Sequence, residues 1–302
     1  MRDCCDLHTH STFSDGTFTP SQIVAEALWT NLRSVALTDH NTVAGLPEFL
    51  EAARGTSLEA IPGVEISTGY LEKEVHIVGL FLEQEKYGPL QDFLGVINRR
   101  KEKSNRALVA ALHTAGYELS YAEIRERHQG NVNRAVIAAE LLRKGYIREM
   151  KEAFRGVLSA KNGLYTPPER IPAFEAVRFL HFINAVPVLA HPFISLSEGE
   201  LRTFLPEAKE HGLAAMETRY STYSPEVTAA AHAIAQEFEL LESGGSDFHG
   251  ENKPDIHLGS GTGDLVGFPM GLCKSCVRGK KTGVETEIGR WKICPLRLYE
   301  TT

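Results

Sequence analysis

Short apolar runs of strand length alternate with amphipathic helical stretches at both ends of this chain, and no other feature restricts its fold as much. Thr19-Pro20-Ser21 marks a helix start, and Ile23, Ala27 and Leu28 lie on one side of a helix predicted from Gln22 to Thr30. Ser34 to Thr38 then reads as a buried parallel strand. A second helix is predicted from Val43 to Ala53, with strands beginning at Leu58 to Ile61 and spanning Glu74 to Leu82. Far downstream the pattern resumes. Helices from Ala173 to Asn184, around Gly199 to His211, and from Pro225 to Phe238 separate strands at Val186 to Ala190, Ala214 to Thr218 and Leu240 to Ser243. Six or seven strands with intervening helices imply a parallel α/β barrel or sheet.

Between these halves, from about Leu90 to Arg148, helix follows helix. Ile97, Leu108, Leu112, Ile124, Ile137, Leu141 and Leu142 supply the apolar stripes. The Pro/Gly-rich run Asn162-Gly163-Leu164-Tyr165-Thr166-Pro167-Pro168 is the expected exit. The expected division is a first barrel part (1–89), an inserted helical subdomain (90–168), a second barrel part (169–265) and a C-terminal extension (266–302). The extension carries Lys274, Arg278, Lys280, Lys281, Arg290 and Lys292 and reads as solvated, not as a nucleic-acid arm. Its Cys273-x-x-Cys276 pair with Cys294 could begin a zinc or redox site, but without a second CxxC unpaired thiols are favoured.

A net charge of −7 gives no global field for gripping long nucleic acid, although bound divalent cations would reverse the local sign. Charged and polar residues follow Met1, where an apolar secretory segment would be needed, and no run reaches membrane-spanning length. A cytoplasmic protein with reduced thiols and no membrane partner is expected.

Chemistry enters at the strand ends. His8 and His10 are two residues apart and would project from one face, with Leu7 turned into the core. An isolated H-x-H is weak. However, Asp15 follows the first strand, His40 the second and Glu65 the third; His76, His191, Asp247 and His249 accompany later ones. Half of the 12 histidines lie at predicted strand ends beside Asp or Glu. In a parallel barrel those ends meet on one rim. The nine donors are nitrogen and oxygen, a set suited to Zn, Mn or Fe, and they exceed what one ion needs. Two or three metals are implied. Glu65 can bridge neighbouring ions, and a bridging hydroxide would be the nucleophile.

The assembled motifs resemble those of the PHP (polymerase and histidinol phosphatase) family of metal-dependent phosphoesterases. They are Asp6-Leu7-His8-Thr9-His10-Ser11 with Ser14-Asp15-Gly16, Thr38-Asp39-His40-Asn41, Pro62-Gly63-Val64-Glu65, Val75-His76-Ile77, Ala190-His191-Pro192 and Ser246-Asp247-Phe248-His249. The resemblance implies a distorted (β/α)7 barrel holding up to three ions. His8, His10, Glu65 and Asp247 would hold one; Glu65, His76 and His191 the second; Asp15, His40 and His249 the third.

The helical insertion resembles that of family members acting on 3′,5′-nucleoside bisphosphates and the 5′ ends of short RNA. Their Arg-Pro-His-like motif corresponds here to Asn133-Arg134-Ala135-Val136-Ile137-Ala138, which keeps only the arginine. Arg134 and Lys161 are the expected phosphate-binding cations. Asp39 is expected to orient a ligand, and Glu217 either to support ligands or mark a substrate contact, or to be an exposed or capping carboxylate. The expected function is hydrolysis of a phosphomonoester on a small nucleotide. Histidinol-phosphate phosphatase is the alternative within hydrolases, and a non-catalytic metal-stabilised scaffold the alternative outside them.

Overall fold

The computed structural model describes residues 4–260 apart from 129 and 131, together with residues 268 and 269. The Cys273, Cys276 and Cys294 group and the basic tail lie outside the described residues.

The first half runs β1 (Cys4–Asp6), α1 (Pro20–Trp29), β2 (Ser34–Leu37), α2 (Leu46–Ala53), β3 (Glu59–Tyr70) and β4 (Lys73–Leu80). Helices α3 (Tyr87–Thr114), α4 (Tyr121–Arg127), α5 (Arg134–Arg143) and α6 (Met150–Arg155) follow. The chain returns through α7 (Ala173–Phe182), β5 (Val186–Leu189), α8 (Pro192–Ser195), α9 (Glu198–Glu210), β6 (Ala215–Tyr220), α10 (Pro225–Glu237) and β7 (Leu241–Gly245); β8 (Phe268–Pro269) pairs antiparallel with β1. No described helix is long and apolar enough to cross a membrane.

The sheet order β7-β6-β5-β4-β3-β2-β1-β8 nearly closes into a seven-stranded barrel. Its seam runs between β1 and β7. Leu7 N donates to Gly244 O (3.2 Å), Asp247 N to His8 O (2.9 Å) and His10 N to Phe248 O (2.9 Å). Gly245 permits that approach, because a Cβ there would lie 2.5 Å from His8 N. Asp6 ties three segments together: Oδ1 accepts from the backbone of His8 (3.3 Å) and Ser246 (2.9 Å), and Oδ2 from Gly259 N (2.8 Å).

Two departures from the expected parallel pattern shape the site. First, β3 continues past Glu65, which reads as following the strand, and runs to Tyr70. It then turns on Leu71 (φ 48°) and Glu72 (φ 60°) and pairs antiparallel with β4. Two positive-φ residues form the tight turn whose twist suits a hairpin. Second, β1 ends at Asp6, so His8 and His10 lie beyond the strand, held by the seam.

Strand residues such as Val35, Leu37, Val64, Ile66, Ile77 and Met216 pack against the helices. Cys5, Leu7, Ala36, Ile61, Val78 and Val188 form a second cluster on the opposite, inner face. The helices after β4 have an apolar cluster of their own, including Leu108, Leu112, Ile124, Ile137, Leu141 and Tyr165. Helix α3 joins the two regions. Its first half places Leu90, Leu94 and Ile97 in the barrel core, and its second half enters the helical cluster. Ile97 therefore belongs to the barrel, and Leu142 is partly exposed at 37%.

Candidate metal centre

Glu65 stands at the centre of the rim, inside β3 and without solvent contact. Its Oε1 lies 2.8 Å from His76 Nδ1 and 3.0 Å from His191 Nε2. Oε2 faces His40 Nδ1 (2.9 Å), His8 Nε2 (3.3 Å) and His10 Nε2 (3.3 Å). Because β4 runs opposite to its neighbours, His76 reaches this rim from the first half of its strand. On the far side Asp247 Oδ1 lies 3.1 Å from His10 Nε2 and 3.6 Å from His8 Nε2. Asp15 Oδ1 lies 3.2 Å from His249 Nε2, with Asp15 Oδ2 3.9 Å from His40 Nε2. All nine rim residues anticipated as donors thus meet in one place.

The donors fit divalent cations. They form four overlapping groups whose atoms lie within 4.8 Å of one another: His10, Asp15, His40 and His249; His8, Glu65 and His191; His8, His10 and Asp247; His40, Glu65 and His76. Asp15 Oδ1, His40 Nδ1, Glu65 Oε2 and His191 Nδ1 are buried without a well-aligned hydrogen bond, although the first three each lie within 3.3 Å of another atom of the donor set. Buried polar atoms are rarely left so, and all four residues belong to the converging donor groups. His191 (φ 29°), Asp247 (φ 56°) and Asn41 (φ 52°) all adopt left-handed backbone around this rim. Such strain costs on the order of 1–3 kcal/mol per residue and collects at functional sites.

Supporting contacts set the imidazoles. Glu217 Oε1 lies 2.8 Å from His8 Nδ1, leaving Nε2 to face Glu65, while Glu217 Oε2 accepts from His191 N at 2.6 Å. Glu217 is therefore a buried support. Asp39 supports the cluster through serines rather than through neighbouring His40. It accepts from Ser11 N (2.7 Å), Ser11 Oγ (2.6 Å) and Ser14 Oγ (2.6 Å), and Ser14 Oγ lies 3.4 Å from His10 Nδ1.

The charges are strongly coupled. Burial pulls the His10 imidazole down, but hydrogen bonds and charges from Asp247 and Glu65 outweigh it and carry the group to about 9. Burial of His76 is likewise outweighed, by Glu65 and Glu74, again giving about 9. At His40 burial wins over Glu65 and Asp15, dropping it to about 4. Burial would raise Glu65, yet His40, His76 and His8 hold its carboxyl well below the ordinary range. A cation entering this cluster competes with protons on the imidazoles.

The helical region covers one side. Along α3, Asn98, Lys101 and Asn105 share a face. Asn98 donates to Asn41 O (2.9 Å), Lys101 to Ser67 Oγ (2.7 Å) and Asn105 to Val132 O (2.8 Å). Asn133 caps α5 by accepting from Val136 N (2.9 Å) and donates to Asp15 Oδ2 (3.0 Å). Beside His76, Glu74 is encircled by cations: Arg134 and Arg170 each lie 3.2 Å from Oε2, and Lys101 4.0 Å from Oε1. Arg134 also lies over the Tyr165 ring at 4.7 Å. A cavity of about 250 Å³ opens between the rim at Ser14, His40 and Asn41 and the helices at Arg99, Tyr121 and Arg125.

Arg134 is thus brought to the edge of the cluster. Lys161 is exposed on the 3-10 turn Ala160–Asn162, and among the described residues no ion pair joins it to the donors. Sequence reasoning missed Lys101, Arg170, Tyr220 and Lys253. Lys101 is hidden among Arg99, Arg100, Glu102 and Lys103, and only the polar spacing Asn98, Lys101, Asn105 could have marked it.

The sequence profile of the PHP domain matches residues 6–162. The 5′-3′ exoribonuclease Rnm of Escherichia coli is 34% identical over 259 residues, covering 84% of this chain and 87% of that protein. The 3′,5′-nucleoside bisphosphate phosphatase of Chromobacterium violaceum is 26% identical over 83% of this chain and 90% of its own length. Among solved structures, one from Bifidobacterium adolescentis described as a metal-dependent phosphoesterase superposes with a TM-score of 0.77. It is 26% identical and covers 91% of this chain and 94% of its own.

Proposed function

Because the chain belongs to the PHP-domain family of metal-dependent phosphoesterases, we propose that it hydrolyses a phosphomonoester on a small nucleotide, either a 3′,5′-nucleoside bisphosphate or the 5′ end of a short RNA. The observation that carries this reading is the placing of Lys101, Arg134 and Arg170 beside His76, at the edge of nine converging donors. Three cations around one carboxylate leave an excess of positive charge next to the donor cluster. A substrate with a second phosphate would use it.

His8, His10, Asp15, His40, Glu65, His76, His191, Asp247 and His249 would hold two or three divalent ions, of Mn, Zn or Fe, with Glu65 shared between them. Such ions supply Lewis-acid polarisation of a phosphoryl oxygen and water made acidic enough to react at neutral pH. Around them Glu217 keeps His8 Nε2 turned inward, and Ser14, held by Asp39, supports His10. Arg134 would meet the second phosphate with its guanidinium fork and Lys101 as a point charge. Asn133 would tie the helical cap to Asp15. The cavity, at about 250 Å³, lies just below the usual range of small-molecule sites, which favours a small substrate. Lys161 is not included.

Hydrolysis by the metal-loaded protein tests this on a 3′,5′-bisphosphate, a short 5′-phosphorylated RNA and histidinol phosphate. Turnover of either nucleotide at least tenfold above histidinol phosphate is expected, reduced by Arg134→Ala. Equal rates on all three would remove the role given to the helical cap. Hydrolysis of no phosphoester, with chelation lowering only the melting temperature, would leave a metal-stabilised scaffold.

A further inference from the structure

We infer that Tyr220 and Lys253 are joint positioning residues for Asp247, holding one carboxylate oxygen so that only the other faces the donor cluster. This rests on the reading of Asp247 as a metal ligand. Asp247 Oδ2 accepts from the Tyr220 hydroxyl at 2.7 Å and from the Lys253 ammonium at 2.6 Å. Each carboxylate oxygen offers about two lone-pair directions, so these donors fill Oδ2. Oδ1 is left pointing at His10 and His8. Asp247, pinned this way, presents a single oxygen in a fixed direction and cannot rotate to chelate with both.

The donors arrive from separate elements, which makes the arrangement a built one. Tyr220 reaches Asp247 because β6 carries a bulge: Glu217 pairs with Ser243, but Arg219 pairs with Gly244. The extra residue shifts the alternation, so Arg219 is exposed and Tyr220 is buried three residues after Glu217. The Tyr220 ring is held 5.1 Å from the His191 ring and 5.3 Å from that of Tyr223. Lys253 follows the 3-10 turn Gly250–Asn252, and its side chain is one-third exposed at 35%. Asp247 is itself at positive φ, where its direction is set by backbone and partners together.

Partners of this kind typically govern metal affinity by ten- to a hundredfold. Mn(II) alone serves as the probe. Binding is measured by chelator competition and metal content per chain, with Tyr220→Phe, Lys253→Met, the double variant, Lys253→Arg and Asp247→Asn compared with the parent. Tyr220→Phe and Lys253→Met are expected to weaken one ion about tenfold or more while leaving the others unchanged. The double variant should lose less than the product of the two, and Lys253→Arg should stay near the parent. Parent-like titration of both single variants overturns the inference, as does tighter binding by Lys253→Met, the sign of a pure charge effect. If Asp247→Asn also binds Mn(II) like the parent, Asp247 is not a ligand and the underlying reading falls with it. If Asp247→Asn loses an ion and the other variants do not, only the positioning role is lost.

Discussion

The barrel rim and the helical cap meet at the same site but are held by different forces. On the rim, the donors come from strand ends and loops locked by seam hydrogen bonds, and most have almost no solvent contact. On the cap, Arg134 and Lys101 sit about a quarter exposed in ion pairs around Glu74. Buried, hydrogen-bonded groups keep their geometry at a cost of strain, whereas partly exposed ion pairs re-form easily and contribute little to stability. On the function proposed above, the rigid region would carry the chemistry and the adaptable one the choice of substrate.

The sharpest way to break this contrast is at its centre. Glu65→Gln keeps the shape of the side chain but removes the charge that five imidazoles face. Steady-state kinetics should show a loss on the order of a thousandfold in kcat, and metal analysis the loss of bound ions. A fall in KM alone would contradict it. Removal of metal comes next. At ion concentrations a thousand times the dissociation constant, binding contributes about 4 kcal/mol. At roughly 2–4 °C per kcal/mol for a chain of this size, chelation should lower the melting temperature by about 10 °C.

That shift should depend on pH. In the protein without cations, His10 and His76 titrate at about 9, above the ordinary 6.5. Their stabilisation is fully present below pH 6.5 and is lost as pH rises through 9. The chelated protein should therefore melt at progressively lower temperature between these values. The metal-loaded protein, in which ligating imidazoles would already be neutral, should not. Parallel curves would show that these protons do not compete with metal.

Cap substitutions should be smaller and selective. Arg134→Ala or Lys101→Ala should raise KM about tenfold to a hundredfold for a substrate with a second phosphate, as expected for a lost charge-assisted bond. They should leave a simple phosphomonoester unaffected, which competition kinetics can read. Asn133→Ala joins both regions and should be the mildest. Loss of the α5 cap costs about 1 kcal/mol in thermal unfolding, with a weaker hold on Asp15.

The barrel was legible because its strands are short apolar runs whose ends carry the chemistry; His8, His10, Glu65 and Asp247 could be picked out before any coordinate. The continuation of β3 beyond Glu65 was concealed because Ser67, Thr68 and Gly69 break the apolar run by which the strand is read. Reading β4 as parallel missed that hairpin, though His76 still reached the rim. Tyr220 was illegible for a further reason: strict alternation predicts Arg219 on the face of Glu217, and only the bulge exchanges them. Lys253, like Lys101, is set by a long-range meeting of elements that local periodicity does not encode.

The barrel seam also dictates an order of events. Asp6 and Ser246, which it joins, are 240 positions apart. During synthesis the two leading histidines emerge long before the aspartate and histidine that complete their surroundings. Long-range closures of this kind form slowly and late. On the proposed reading, an ion would therefore enter an enclosure that is complete only once both ends of the chain have met.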